Sequence, residues 1–386
     1  MTSITAGADP RRAPIALSQG AFLARCAARP AERNALIDVA RGLALIGILI
    51  PHFTLIAIAI GDLGGLRAPY LSDFQFVDEA ELFVFFSGYV NGLSDGQRAI
   101  RDGYGAVIRQ TARRIWQIFR AILFTVAFAV ALSWPLFSDR AILAGLDLLP
   151  FEENGRAALA AIATLEHSTL FINILALYLL LFATTPLFIW GFRTNAAWMA
   201  VASASVWLLV QFGPLHLTRN WAGVGSFNPF AWQALFAMGV FLGMQRGFDT
   251  LATGLSRRPL MLLVSICLAF FALRTGLRVS PWLADAARPF WHKGAFAPLR
   301  AGNFVAFVPL FMLAVSWFSR ALPGLAGLVG RAGAMSLEMF CAGVVLSLLM
   351  AFAFLTLGGD LAAYAIALVA GLVVYILLVP PLEYVS

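Results

Sequence analysis

The stretch from Arg41 to His52 reads RGLALIGILIPH, an apolar run with an arginine at one end and a histidine at the other. An α-helix turns about 100° per residue, so two positions eleven apart are separated by three turns plus about 20° and share a face. Asp38 lies one turn before Arg41 on that face, where the two can pair. The rise from Arg41 to His52 is about 16 Å, roughly half of a ~30 Å hydrocarbon core. The pattern predicts an ion pair near one membrane surface and an imidazole near mid-membrane. Pro51 removes a backbone hydrogen bond one turn back, which predicts a kink beside the histidine. Ionisable groups at that depth are costly and face a bundle interior or an aqueous cavity. Two uses fit: a histidine that bonds across helices, or a neutral imidazole that acts as a base near pH 7.

Glu81 offers a carboxylate to such a base. It opens the run ELFVFFSGYVNG, and a carboxylate against a neutral imidazole would orient it and raise its basicity. Spacing does not show whether the two meet. Glu79 reads as an interfacial carboxylate, and the small residues of SGY as a place where helices approach closely. Farther along, Arg109, Arg113 and Arg120 fall near helical spacing beside Arg114. They fit anchoring at the inner membrane surface, or a cradle for a phosphorylated ligand, which arginine grips in bidentate fashion. Cys26, Cys267 and Cys341 show neither metal-ligand nor disulfide spacing, and no metal is expected.

Such groups need long apolar elements to hold them at depth. The 386 residues are 61% hydrophobic and 12% charged, against about 25% charged in soluble proteins, and the mean hydropathy is +0.84. No hydrophilic stretch is long enough to bury a core of its own, which excludes a soluble domain. The expected fold is all-α: a polytopic bundle of about ten membrane helices near 37–60, 79–95, 115–134, 169–190, 196–212, 228–245, 258–275, 302–319, 335–356 and 361–380. An arginine-rich tail over 1–35 precedes a membrane domain over 36–386. The tail lacks the features of a signal peptide, and its AFLARCAARPAER stretch is expected on the membrane surface. Basic loops alternate along the chain and place both termini in the cytoplasm. The net charge of +7 speaks for inner loops and lipid headgroups, not nucleic acid. The outer loops 61–78 and 135–168 are acidic or mixed (Asp62, Asp73, Asp78; Asp147, Glu152, Glu153). Residues 274–303 break the rule. They should lie outside, yet carry Arg274, Arg278, Arg288, Arg300 and the lone lysine, Lys293, against one Asp285. Either the topology slips there, or that surface is positive in order to hold an anion.

Several stretches together resemble the OpgC family of osmoregulated periplasmic glucan succinyltransferases: LIDVARGLALIGILIPH, DEAELFVFFSGY, NPFAWQALFAMGVFLG, KGAFAPLR and GAMSLEMFCAGVVLSLL, in that order. The family is similar to the wider superfamily of integral-membrane acyltransferases, which share an Arg-x(10)-His pattern on the first helix; Arg41 and His52 match it. The resemblance implies O-acyl transfer (O-succinyl or O-acetyl) in a bacterial inner membrane. A cytoplasmic succinyl-CoA or acetyl-CoA would be the donor and a periplasmic glucan or other glycan the acceptor, with no permanently bound cofactor. It implies His52 as the catalytic histidine, supported by Arg41 and Asp38, with Glu81 in a matching region. It also implies that Arg109, Arg113 and Arg114 hold the donor's phosphates. On that reading a positioned base takes the proton of a sugar hydroxyl, and Asn228, Trp232 or Gln233 supplies a donor to the oxyanion. Lys293 and Arg300 would hold the free carboxylate of a succinyl group or an anionic glucan. Direct transfer and an acyl-histidine both remain open, as does the oligomeric state. Two positions depart from the family pattern: Glu338 in MSLEMF, placed to reach Arg331, and Asn173 in NILALY, where the family has a DILPLY-like stretch. The competing reading is a proton-coupled transporter or flippase using Asp38, Arg41, His52 and Glu81. No internal repeat or paired broken helices support it.

Overall fold

The computed structural model describes residues 18–27, 34–136, 140, 143, 148–164, 171–213, 215, 227–248 and 255–383. Among them every regular element is helical. In chain order these are α1 (Gln19–Ala27), α2 (Ala35–Ile60), α3 (Leu71–Phe74), α4 (Glu79–Arg101), α5 (Tyr104–Leu136), α6 (Leu149–Ala163), α7 (Asn173–Ala183) and α8 (Thr185–Phe212). There follow α9 (Pro229–Met244), α10 (Arg257–Val279), α11 (Pro281–Trp291), α12 (Pro298–Ala321), α13 (Pro323–Ala334), α14 (Ser336–Thr356), α15 (Leu361–Leu377) and α16 (Val379–Glu383). Seven stretches of the described residues are long and apolar enough to cross a membrane, so the chain is a multi-pass membrane protein. The short apolar helices α7 and α9 and the more charged α4 coincide with three further expected spans. The tail arginines Arg11, Arg12, Arg29 and Arg33, and Asp147, lie outside the described residues.

The basic stretch before residue 115 is not a loop. α4 continues to Arg101 and α5 begins at Tyr104, so only Asp102 and Gly103 turn the chain, with Gly103 at φ 80°. Its Arg, Gln and Ala are good helix formers, and only a glycine meets that φ without strain. α8 breaks at Asn195, whose side chain caps the second half by accepting the Trp198 N–H at 3.0 Å.

Small residues set the closest helix approaches. Gly88 and Gly92 of α4 lie against the Phe236 and Val240 carbonyls of α9. Reciprocally, Gly239 and Gly243 of α9 lie against the Phe85 and Tyr89 carbonyls of α4, and a Cβ at any of the four would overlap backbone. This is a four-residue small-residue spacing on both partners. Gly42 of α2 and Gly333 of α13 make a second seam of the same kind. The first seam runs along α4 and the second along α2, the helices that carry Glu79, Glu81 and His52. α1 does not lie free on a membrane surface. Gln19 donates to the Phe192 and Arg193 carbonyls and accepts the Ala196 N–H, Gln97 donates to the Cys26 carbonyl, and Phe22 stacks on Phe241 at 5.6 Å.

Candidate active site

α2 runs through Pro51 to Ile60 and presents His52 to a cavity of about 360 Å³. Phe171 stacks on the imidazole (centroids 4.3 Å apart, planes 12°), and Phe340 meets it edge-on at 6.1 Å. Phe171 holds φ 61°, a costly conformation for a bulky side chain that persists where its surroundings enforce it. Among the described residues nothing hydrogen-bonds the imidazole nitrogens, so the ring is gripped by its faces and its polar edge is left to the cavity.

The opposite wall is charged. Asp78 caps α4, accepting the Ala80 and Glu81 N–H groups, and Glu81 returns a bond by accepting the Asp78 N–H at 2.8 Å. This reciprocal box fixes the start of α4. Arg300 of α12 lies 2.7 Å from Glu81 and 3.5 Å from Asp78, and donates to the Trp291 carbonyl. Lys293 lies 2.8 Å from Asp78. Burial pushes the Asp78 carboxyl up, but the charges of Lys293 and Arg300 outweigh it and hold it below the usual carboxylate range. Glu79 accepts the Leu71 N–H at 3.1 Å and lies over Gly47, where a Cβ would come within 2.6 Å of its Cγ. Arg274, Tyr70, Ser72 and Asn173 complete the polar lining.

A cap of chain covers this wall. Arg67 makes two 2.7 Å hydrogen bonds to Asp73, Arg278 donates to the same carboxylate, and the Tyr70 N–H adds a third donor group. Burial raises the Asp73 carboxyl, yet these donors outweigh it and leave it well below its ordinary value. Asn303 accepts the Phe76 and Val77 N–H groups and donates to Gln75. The excess of cations over 274–303 thus has a local reason: four of the five face acids or carbonyls of residues 72–81.

The family model described as OpgC protein matches residues 33–385. The chain belongs to the OpgC family. Membership points to an acyltransferase-type function in glucan modification. Neither a curated protein nor a solved structure matches the chain.

Within this OpgC chain the sequence-derived candidates fall into three groups. His52, Lys293 and Arg300 line one cavity. Glu81 stands behind it, fully buried on Arg300 and not bonded to His52, while Glu79, read from sequence as interfacial, is the glutamate that lines it. The donors of Asn228, Trp232 and Gln233 are turned away. Asn228 donates to the Leu215 carbonyl, Trp232 to the Lys293 and Gly294 carbonyls, and Gln233 to the Ser203 carbonyl. Trp232 and Asn228, whose N–H also bonds the Gly294 carbonyl, shape the turn that carries Lys293. Gln233 belongs to a separate pair with Ser203. The third group sits at the other end of the bundle. Arg41 lies 3.9 Å from Asp38 and donates to Ser336. Arg114 turns inward onto Asp95 and Asn91, with Arg98 on the same aspartate, while Arg109 and Arg113 are exposed. Arg331 pairs with Glu383 rather than Glu338, which is exposed in the first turn of α14. A second cavity of about 630 Å³ opens there beside Asp38, Gly330 and Arg331, and shares no lining residue with the first.

Sequence reasoning passed over Glu79, Arg274 and Asn173 as site residues. The Asp78-x-x-Glu81 spacing is the capping signature that would have marked Glu81 as structural, leaving Glu79 for the cavity. Asn173, in the NILALY stretch expected to differ from the family's pattern, lies on the cavity wall.

Proposed function

We propose that the protein is an inner-membrane O-acyltransferase that moves a succinyl group from cytoplasmic succinyl-CoA to a hydroxyl of a periplasmic glucan. The observation that carries this is an imidazole clamped by two aromatic rings, its nitrogens bonded to none of the described residues, in a cavity of cationic and carboxylate groups. His52 accepts the proton of the sugar hydroxyl as its oxygen attacks the thioester carbon. The tetrahedral oxyanion collapses, the C–S bond breaks, and the CoA thiolate leaves with that proton. Asn173 and Lys293, on the cavity wall, are the donors suited to the oxyanion. Phe171 and Phe340 hold the ring by its face and edge, and none of the described carboxylates pairs with it.

The Arg41 end is the cytoplasmic one on this reading, with both termini there. Arg98, Arg101, Arg193, Arg257, Arg320 and Arg331 gather at that end, as the positive-inside rule requires. Arg109 and Arg113 are exposed there for the donor's phosphates. Asp38 lines the second cavity, and Arg41 lies one turn farther along α2 toward His52. The pantetheine arm must pass the buried layer of Ala40, Ala44 and Leu45, so donor binding opens a path between α2 and its neighbours. The test is label transfer in membranes from succinyl-CoA or acetyl-CoA to periplasmic glucan. Glucan labelled from succinyl-CoA supports the reading. Label from acetyl-CoA alone changes the acyl group, and no label from either, with no acyl-CoA binding, favours a transporter.

A further inference from the structure

Among the described residues three cations line the His52 cavity, and two of them are paired with carboxylates within the fold. Arg300 has Glu81 and Asp78, and Lys293 has Asp78. Arg274 differs. Its Nε donates to the Ser72 carbonyl at 3.0 Å, and its guanidinium carbon lies 5.6 Å from the Phe76 ring centre and 5.2 Å from that of Trp291. Among the described residues no carboxylate comes within ion-pair distance of it. The nearest acid along the cap, Asp73, is taken by Arg67 and Arg278. One hydrogen bond and two aromatic contacts therefore fix the plane of the guanidinium, and among the described residues neither terminal nitrogen has an acidic acceptor. A fixed planar fork with two unspent donors matches a carboxylate side-on, and a partly buried cation without a counter-charge is stabilised by an anionic ligand.

We infer that Arg274 is the specificity-determining residue for the acyl group. It grips the free carboxylate of a dicarboxylic acyl chain whose thioester carbon lies at His52, and so selects succinyl over a neutral acyl group of equal length. This rests on the proposed acyl transfer and deepens it. An anionic substituent on the glucan would present the same chemistry, and the experiment separates the two.

The protein, purified into lipid nanodiscs, is supplied with neutral glucan and either succinyl-CoA or butyryl-CoA, which has the same chain length without the carboxylate. Wild type, Arg274→Gln and Arg274→Lys are compared by the ratio of succinyl to butyryl transfer, a quantity independent of the folded fraction. Arg274→Gln keeps a donor for the Ser72 carbonyl and removes the charge. Its ratio is expected to fall roughly 10- to 100-fold through loss of succinyl transfer, the size of a lost charge-assisted contact. Arg274→Lys, with charge but no fork, should fall between. Equal loss with both donors means Arg274 is only structural, and overturns the inference. So does an unchanged ratio accompanied by a selective loss on anionic glucan, or a wild type that prefers butyryl. Failure of wild type to transfer from either donor overturns the acyl-transfer reading itself, and is seen before any variant is made.

Discussion

Replacing Glu81 by alanine tests whether the buried ion pair braces the site. The change strips Arg300 of its 2.7 Å partner and leaves the Asp78 N–H without its 2.8 Å acceptor. Removing one member of a buried pair costs about 3–5 kcal/mol, and an opened cap about 1 kcal/mol. Asp78, 3.5 Å from Arg300, still compensates part of the charge, which puts the first figure at its low end. The expected loss is therefore about 4 kcal/mol. The double variant Glu81→Leu with Arg300→Met removes both charges, leaves Asp78 to Lys293, and should recover most of it. The assay is denaturant-induced unfolding in mixed micelles, followed by tryptophan fluorescence; Arg300 bonds the Trp291 carbonyl, so a probe sits on the strut. A loss under about 1 kcal/mol for Glu81→Ala, or a double variant as unstable as the sum of the singles, would refute the bracing argument.

Gly243→Leu drives a side chain into the Tyr89 carbonyl and should cost more than about 3 kcal/mol, seen as lost folded yield; Gly276→Ala, which meets open space, should be neutral in the same screen. The Asp73 carboxyl is depressed in the fold, so its contribution is full above the ordinary carboxylate pKa of about 4 and is lost only as pH falls through the lower folded value. The difference in melting temperature between wild type and Asp73→Asn should accordingly hold constant from pH 8 to 5 and shrink in stronger acid; shrinkage already near pH 6 would contradict the lock. Burial pushes the Cys26 thiol up to about 12, against the lowering effect of Arg193. In a variant keeping only this cysteine, N-ethylmaleimide at pH 8 should react at least about 100-fold more slowly than in denaturant; equal rates would mean α1 is undocked.

Much of this site can be read from single helices, and the rest cannot. The shared face of Asp38, Arg41 and His52 follows from helix periodicity, and the structure keeps Arg41 near Asp38 while His52 reaches the other cavity. Apolar run lengths gave the helices, but not the two-residue turn at Asp102–Gly103, because arginine-rich sequence reads equally as loop or amphipathic helix. Glu79 and Glu81 are two residues and about 200° apart on one helix, so only one can face the cavity. Which one depends on Arg300, more than two hundred positions away. The same holds for the donors of Asn228, Trp232 and Gln233, whose residue types suit an oxyanion but whose hydrogen bonds go to carbonyls on distant segments. Long-range pairing decides whether a cation is free or spent, and local pattern carries no record of it.

The central claim is that His52 is the base in acyl transfer. It is tested most directly by the rate of succinyl transfer from succinyl-CoA to glucan in nanodiscs holding wild type or His52→Ala at matched folded amounts. His52 bonds to no described side chain, so the variant should fold, bind donor with unchanged affinity and transfer about 10²- to 10⁴-fold more slowly, the contribution of a positioned base. Transfer at the wild-type rate in His52→Ala would contradict the account.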